Sequence, residues 1–361
     1  MIIAFYLPQY HPTPNNDRWW GKGFTEWTNV AKAKKLFPGH YQPKVPADLG
    51  FYDLRLADVR EEQARLAREA GITAFCYYHY WFGNGHQELE MPFSQVVESG
   101  KPDFPFCLCW ANESWSRKFW SKDGSVGKKQ VLAEQDYPGH EDNVMHFEAL
   151  RTAFLDERYV KIDGRPVFMI YRPLMFDGIE EFISDWNALA LRAGLKGFYF
   201  IGYTLSVKTE YDQIKEKGFD AVCSCRLGYG KQSKLMYFLR KIISVVTHSP
   251  RRFSYRRMIP QLLGHEEERE DVFPTMIPNW DHTPRSGVGG YVYTGATPGL
   301  FKIHAKQVLS CMSRKPSNSQ ICFVKSWNEW GEGNYLEPDL RYGLGYLNAL
   351  SEAIQECNTE H

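Results

Sequence analysis

Two kinds of segment alternate along the chain. Short runs such as "IIAFYL" (2–7), "ITAFCYYHYW" (72–81) and "FPFCLCWAN" (104–112) are apolar almost throughout. Between them lie longer stretches in which apolar residues recur at helical spacing. In 53–71, Leu54, Ala57, Leu66 and Ala70 carry that pattern and Gly71 stops it. The alternation predicts further strands at 165–173, 197–204, 219–225, 272–280 and 320–327. It predicts further helices at 88–100, 140–157, 178–194, 208–217, 299–314 and 341–356. Strands that are apolar on both faces belong to parallel sheets covered by helices. Eight such units in 361 residues predict a (β/α)8 barrel of the TIM type, with 1–361 as a single catalytic domain. The alternative is a doubly wound sheet, which usually has a Gly-rich phosphate turn after its first strand. Here "PQYHP" follows that strand, and the chain contains no G-x-G-x-x-G.

Composition narrows the function classes. Hydrophobic residues make up 43% of the chain, enough for a large core, and the formal net charge is zero. A neutral chain has no global field to attract nucleic acid, so no nucleic-acid partner is expected. Aromatics reach 15%, with 11 Trp and 21 Tyr, and flat aromatic faces suit sugar rings as well as cores. The eight cysteines lie mostly in apolar runs and lack C-x₂-C spacing, so buried thiols are expected and no zinc site. No D-x-D pair is present to hold a metal and a diphosphate, and the expectation is no cofactor and no metal. The opening "MIIAFYLPQYHP" lacks a basic n-region and its apolar stretch ends at Pro8, so it is read as a strand and not a signal peptide. A cytoplasmic protein is expected.

In a barrel, chemistry collects where strands end. The predicted exits supply Gln9, Tyr10 and His11; His79, Tyr80 and Trp81; Trp110, Asn112, Glu113 and Trp115; Tyr171 and Arg172; and Tyr203. The later exits supply Arg226 and Tyr229; Asn279, Trp280 and Asp281; and Asn328, Glu329, Trp330 and Glu332. Amides, imidazoles and carboxylates among Trp and Tyr faces are the chemistry of a saccharide pocket. The candidate substrate-binding residues are Gln9, His11, Trp27, His79, Trp81, Trp110, Asn112, Glu113, Tyr171, Arg172, Tyr203, Trp280, Asn328 and Trp330. Each also has a structural reading: a satisfied core histidine, a turn asparagine, or an arginine paired with a nearby acid.

The sharpest signal is "WNEWGEGNYLEP" (327–338). On a strand, Glu329 and Glu332 would face opposite ways; on a turn they share a face with Cβ atoms roughly 5–6 Å apart. Gly331 and Gly333 favour the turn. Carboxylates that close repel, so one holds its proton while the other ionises, and one site then has both an acid and a base. Glycosidic bond cleavage needs that pair. A solvated acidic loop is the alternative, and the flanking tryptophans argue against it.

"NEWGEG" (328–333) resembles the N-E-W-x-E-G signature of glycoside hydrolase family 99-like proteins, including the WbsX-type proteins of bacterial polysaccharide loci. The similarity extends through "FYLPQYHP" (5–12), "GFTEWTNV" (23–30), "CYYHYWF" (76–82) and "WANESW" (110–115). The resemblance implies a (β/α)8 barrel with Glu329 as the base that deprotonates a substrate 2-hydroxyl. A 1,2-anhydro sugar then forms, and Glu332 serves as acid and base with retention at the anomeric carbon. The family's hydrolases tend to carry His where this chain has Gly331. WbsX-type relatives are generally described as glycosyltransferases of O-antigen (lipopolysaccharide) or capsule assembly. The resemblance therefore implies either hydrolysis or transfer at glycosidic bonds. The alternatives in other classes are a nucleotide-sugar-dependent glycosyltransferase and a non-catalytic saccharide-binding barrel.

Residues 231–258 hold eight Lys/Arg and no acid, with Leu235, Phe238, Leu239, Ile242, Ile243 and Val246 on one helical face. A basic amphipathic helix suits an anionic membrane surface. The alternative is that it packs on the barrel as its sixth helix. Expected partners are an oligosaccharide or lipid-linked saccharide, with peripheral contact to the inner membrane through this insert.

Overall fold

The computed structural model describes residues 1–120, 126–228 and 234–359. Its centre is a closed barrel of eight parallel strands: β1 (Ile2–Tyr6), β2 (Ala74–Trp81), β3 (Phe106–Trp110), β4 (Arg165–Ile170), β5 (Tyr199–Thr204), β6 (Ala221–Ser224), β7 (Val272–Met276) and β8 (Cys322–Val324). Neighbours in sequence pair all the way round, and β8 returns to β1 with Cys322 opposite Ile2. The (β/α)8 barrel expected from the alternation is the fold observed.

Seven predicted helices are present as α1 (Ala57–Glu69), α2 (Met91–Ser99), α3 (His140–Leu155), α4 (Ile179–Arg192), α5 (Val207–Glu216), α7 (Pro298–Ser313) and α8 (Gly345–Thr359). Local chemistry sets their ends. The Thr297 side chain accepts from Leu300 N and Pro298 opens α7, while Gly100 closes α2 in the left-handed region. The strands bury both faces. On β1, Phe5 points inward onto Tyr78 and Phe323, whereas Tyr6 points outward and its hydroxyl donates to Gln63 of α1 at 2.6 Å. Phe168 and Trp186 meet at 4.5 Å in the layer between the barrel and the helices.

The insert between β6 and β7 departs from one of the two readings. Its helix, α6 (Lys234–Val246), does not take the sixth place on the barrel. A short turn, His265–Glu268, packs against β7 instead, and α6 rests on the strand Arg251–Ser254. Its apolar face stays outside, with Phe238 58% and Val246 71% exposed. No described helix is long and apolar enough to cross a membrane.

Candidate active site

Glu329 and Glu332 meet because the chain turns sharply after β8. Asn328–Glu329 pairs antiparallel with Asn334–Tyr335, and Trp330–Glu332 forms one 3₁₀ turn between them. The loop is fixed from three sides. The Asn328 side chain accepts from Leu7 N at 2.7 Å and donates to Leu7 O at 3.0 Å, tying the loop to the end of β1. Trp330 stacks on Tyr335 with ring centroids 3.7 Å apart. The Trp330 indole donates at 2.6 Å to Glu337, which also accepts from Tyr52 at 2.9 Å and Gln63 at 2.6 Å.

Above the loop is a cavity of about 200 Å³, lined by Leu7, Gln9, Tyr78, Tyr80, Ala111, Glu113, Trp115, Tyr171, Arg285, Lys325, Glu329 and Glu332. These residues come from the C-terminal ends of barrel strands or from the loops that follow, the usual location of barrel chemistry. Arg285 organises the acids. Its Nη1 donates to Glu329 at 3.1 Å and to Glu332 at 2.7 Å, and its Nε donates to Glu26 at 2.8 Å. On the other side Lys325 Nζ donates to the Tyr78 hydroxyl at 2.8 Å and lies 3.5 Å from Glu329 Oε2.

The two carboxyls are driven apart electrostatically. Burial opposes ionisation of Glu329, but Lys325 and Arg285 outweigh it and hold the group down at about 2. Burial and then ionised Glu329 push Glu332 up to about 7, against the same two cations. Near neutrality the pair therefore holds a carboxylate and a group able to donate a proton. His282 Nε2 stands 3.6 Å from Glu332 on the outer side.

Glu26 fills the space beside Gly331. A Cβ on residue 331 would sit 1.7 Å from Glu26 Oε1. Gly331 and Glu26 are thus two halves of one arrangement, and Glu26 is only 2% exposed.

Of the residues singled out in the sequence, the cavity gathers Gln9, Tyr80, Glu113, Trp115, Tyr171, Glu329 and Glu332. Glu113 pairs with Arg172 Nε at 2.9 Å, and the Arg172 guanidinium lies over Tyr171. The others lie outside the cavity lining. His11 is buried against Pro8 O, and burial lowers its pKa. Trp27 donates to Tyr52 O at 2.7 Å. His79 lies 2.8 Å from His146 of α3, where burial lowers its pKa to about 3. Trp81 donates to Asp142 of α3 at 2.9 Å, and Trp110 donates to Trp81 O at 2.9 Å. Asn112 bridges to Arg172 N and O, and Tyr203 stacks beneath Tyr171 at 4.6 Å. Trp280 is buried beside His282. Asn328 and Trp330 support the loop from below, and Tyr229 lies outside the described residues.

Sequence reasoning missed Glu26, Tyr78, Arg285 and Lys325. A lysine ending an apolar strand was a usable signal, because a buried cation demands partners. Arg285, in the four-residue helix Thr283–Ser286, had no such mark.

Fold and cavity together define a class: a (β/α)8 barrel with a carboxylate pair, Glu329 buried and Glu332 partly exposed, at the C-terminal ends of its strands. Residues 2–350 match the family described as "Glycosyltransferase WbsX", and the chain belongs to that family. It is 36% identical over 354 residues to an uncharacterized protein WxcX of Xanthomonas campestris pv. campestris (strain B100), covering 98% of this chain and 49% of that protein. A WxcX from a second strain of that pathovar is 35% identical with the same coverage, so the chain spans about half the length of the curated relatives it matches. Among solved structures it is similar to a glycoside hydrolase-like protein, with TM-score 0.63, 16% identity and coverage of 98% and 93% of the two chains. A family 99 endo-alpha-mannosidase from Bacteroides thetaiotaomicron gives TM-score 0.58, 14% identity and coverage of 99% and 97%. Both share the barrel fold.

Proposed function

We propose that this protein is a carbohydrate-active enzyme of polysaccharide metabolism that acts on glycosidic bonds through Glu329 and Glu332. The observation that carries the reading is the split pair itself, one carboxyl held at about 2 and its neighbour at about 7 in a single cavity. Glu329, ionised and 5% exposed, is the base that takes the proton of a substrate hydroxyl. Glu332 is the acid that protonates the departing oxygen and then, deprotonated, activates the incoming one. The incoming oxygen belongs to water in hydrolysis and to a sugar hydroxyl in transfer. The family description favours transfer, and Gly331, with Glu26 in its space, sets the chain apart from the hydrolase pattern. Gln9, Glu113, Tyr171, Tyr78, Tyr80 and Trp115 supply the hydrogen bonds and faces for the sugar.

The reading extends to a lipid-linked saccharide of O-antigen or capsule assembly as substrate and an anionic bilayer, the inner membrane seen from the cytoplasm, as the docking surface. Support comes from α6: Phe238, Leu239, Ile242, Ile243 and Val246 are all exposed beside a run of cations without an acid.

The test is incubation of wild type, Glu329→Gln and Glu332→Gln with α-linked oligosaccharides and, separately, with nucleotide sugars. Consumption of oligosaccharide by wild type alone supports the reading. Turnover of a nucleotide sugar by all three proteins would place the chemistry elsewhere.

A further inference from the structure

A second cavity, of about 450 Å³, adjoins the carboxylate site and has a different character; its walls include Phe37, Tyr41, Arg252, Asp281, Arg341 and Tyr342. The two cavities share a wall. Asp281 N donates to the Glu332 carbonyl at 2.7 Å, and the next residue, His282, faces the Glu332 carboxylate.

Two arginines of this second cavity, Arg252 and Arg341, are exposed, whereas its Lys44 is buried and already donates to the Gly333 carbonyl at 3.2 Å. The Arg252 guanidinium lies 5.0 Å over the Phe37 ring, and that of Arg341 lies 4.8 Å from Tyr41 and 5.2 Å from Tyr342. Neither forms an ion pair among the described residues. The acid in the wall does not compete for them, because Asp281 already accepts from Gln42 at 2.8 Å and from the Thr283 hydroxyl at 2.6 Å, with His40 at 2.8 Å. Arginine guanidinium groups placed over aromatic rings suit an oxygen-rich dianion.

Arg252 also lines a groove of about 360 Å³ whose other walls include Leu239, Ile243 and Pro250. Leu239 and Ile243 belong to the exposed apolar face of α6, and Arg240 of α6 donates to the Arg252 carbonyl at 2.6 Å. One side of Arg252 thus opens on a cationic, aromatic cavity and the other on a groove at α6 in which Leu239, Ile243 and Pro250 stand among Arg240, Arg251 and hydroxyl side chains. A ligand matching both has an anionic head and a hydrocarbon tail.

We propose that the two cavities together bind a phosphate-bearing amphiphile, its phosphate between Arg252 and Arg341 and its chain along Leu239 and Ile243. The inference rests on the reading of a lipid-linked substrate and gives it a place.

Calorimetric titration with inorganic pyrophosphate and with farnesyl diphosphate tests the proposal without any turnover. Both should bind wild type, farnesyl diphosphate more tightly. Arg252→Gln and Arg341→Gln should each weaken both ligands about tenfold or more. Leu239→Ser with Ile243→Ser should bring farnesyl diphosphate down to the affinity of pyrophosphate and leave pyrophosphate unchanged. Vesicles of phosphatidylcholine and phosphatidylglycerol separate the sources of phosphate. If Arg341→Gln still binds vesicles, the cavity takes the carrier of the saccharide; if vesicle binding falls in parallel, it takes a phospholipid head group. No saturable binding of either diphosphate, or arginine variants that bind like wild type, overturns the proposal. Glu329→Gln should bind both probes normally, so a failure here leaves the glycosidic chemistry standing.

Discussion

Gly331 and the carboxylate of Glu26 occupy the same place: a methyl group on residue 331 would come within 1.7 Å of Glu26 Oε1. Glu26 in turn holds Arg285 Nε at 2.8 Å, and Arg285 holds both loop carboxylates. Gly331→Ala is therefore expected to break the Glu26–Arg285 contact, costing about 1–3 kcal/mol of stability through overpacking. Activity should fall further than stability. Adding Glu26→Ser to Gly331→Ala clears the space and should restore part of the melting temperature. A single Gly331→Ala variant with wild-type kcat/KM would mean that the Glu26–Arg285 contact has no part in the reaction.

Strand β2 gives a second test, because its residues alternate between two environments. Tyr78 and Tyr80 line the cavity, while His79 and Trp81 face His146 and Asp142 of α3. Tyr80→Phe should alter KM or kcat with little change in melting temperature. Trp81→Phe should do the reverse, because it takes away the indole donor of the buried Asp142 carboxylate at a cost of about 1–3 kcal/mol. The measurement is a thermal melt beside a Michaelis plot for each variant.

That strand also shows what the sequence makes legible. The eight strands and most of the helices announce themselves through apolar runs and helical periodicity, which packing enforces everywhere along the barrel. The Glu329–Glu332 turn is legible for a local reason, the glycines at 331 and 333. Which face of β2 points inward is harder to read, because both faces are buried and aromatic, and a one-residue shift exchanges Tyr80 for Trp81. Arg285 is harder still. Its role depends on three acids at positions 26, 329 and 332, which only the closed barrel brings together.

Glu337 separates a structural acid from the proposed catalytic pair in the same motif. It is 2% exposed, and burial raises its pKa to about 7 against the hydrogen bonds of Trp330, Gln63 and Tyr52. Glu337→Gln replaces one accepting oxygen with an amide that points protons at those donors. The expected result is a lower melting temperature, by about 1–3 kcal/mol of stability, with the pH profile of whatever activity remains unchanged. A shifted profile would assign Glu337 to the chemistry.

The insert helix makes a prediction about surfaces. Wild type should bind vesicles containing phosphatidylglycerol at low salt and release them as salt rises, since exposed cations are screened within about 10 Å at 0.1 M. Reversing the exposed Arg256 and Arg257 to Glu should weaken binding and its salt dependence, and Ile242→Ser with Val246→Ser should weaken binding at every salt concentration. Co-sedimentation measures both, with circular dichroism confirming an intact barrel. Wild type that ignores anionic vesicles at low salt removes the membrane from the picture.

The carboxylate pair predicts the pH dependence of the reaction. In the proposed reaction Glu332 must carry a proton to donate one, and its pKa is raised to about 7, so the rate should fall as pH rises through that value. Glu329 must be ionised and is held at about 2, so no acid limb should appear between pH 4 and 6. Glu332→Gln should abolish the alkaline limb and spare substrates with good leaving groups. Glu329→Gln should lose about 10²–10⁴-fold whatever the leaving group. Arg285→Met separates the pair from other groups that titrate near neutrality. Arg285 lowers the pKa of both acids, so its loss must raise both. The alkaline limb should move to higher pH, and an acid limb should rise toward the measurable range as Glu329 becomes harder to ionise. An alkaline limb that stays in place in Arg285→Met would belong to a group other than Glu332, and the division of acid and base between these two glutamates would fail.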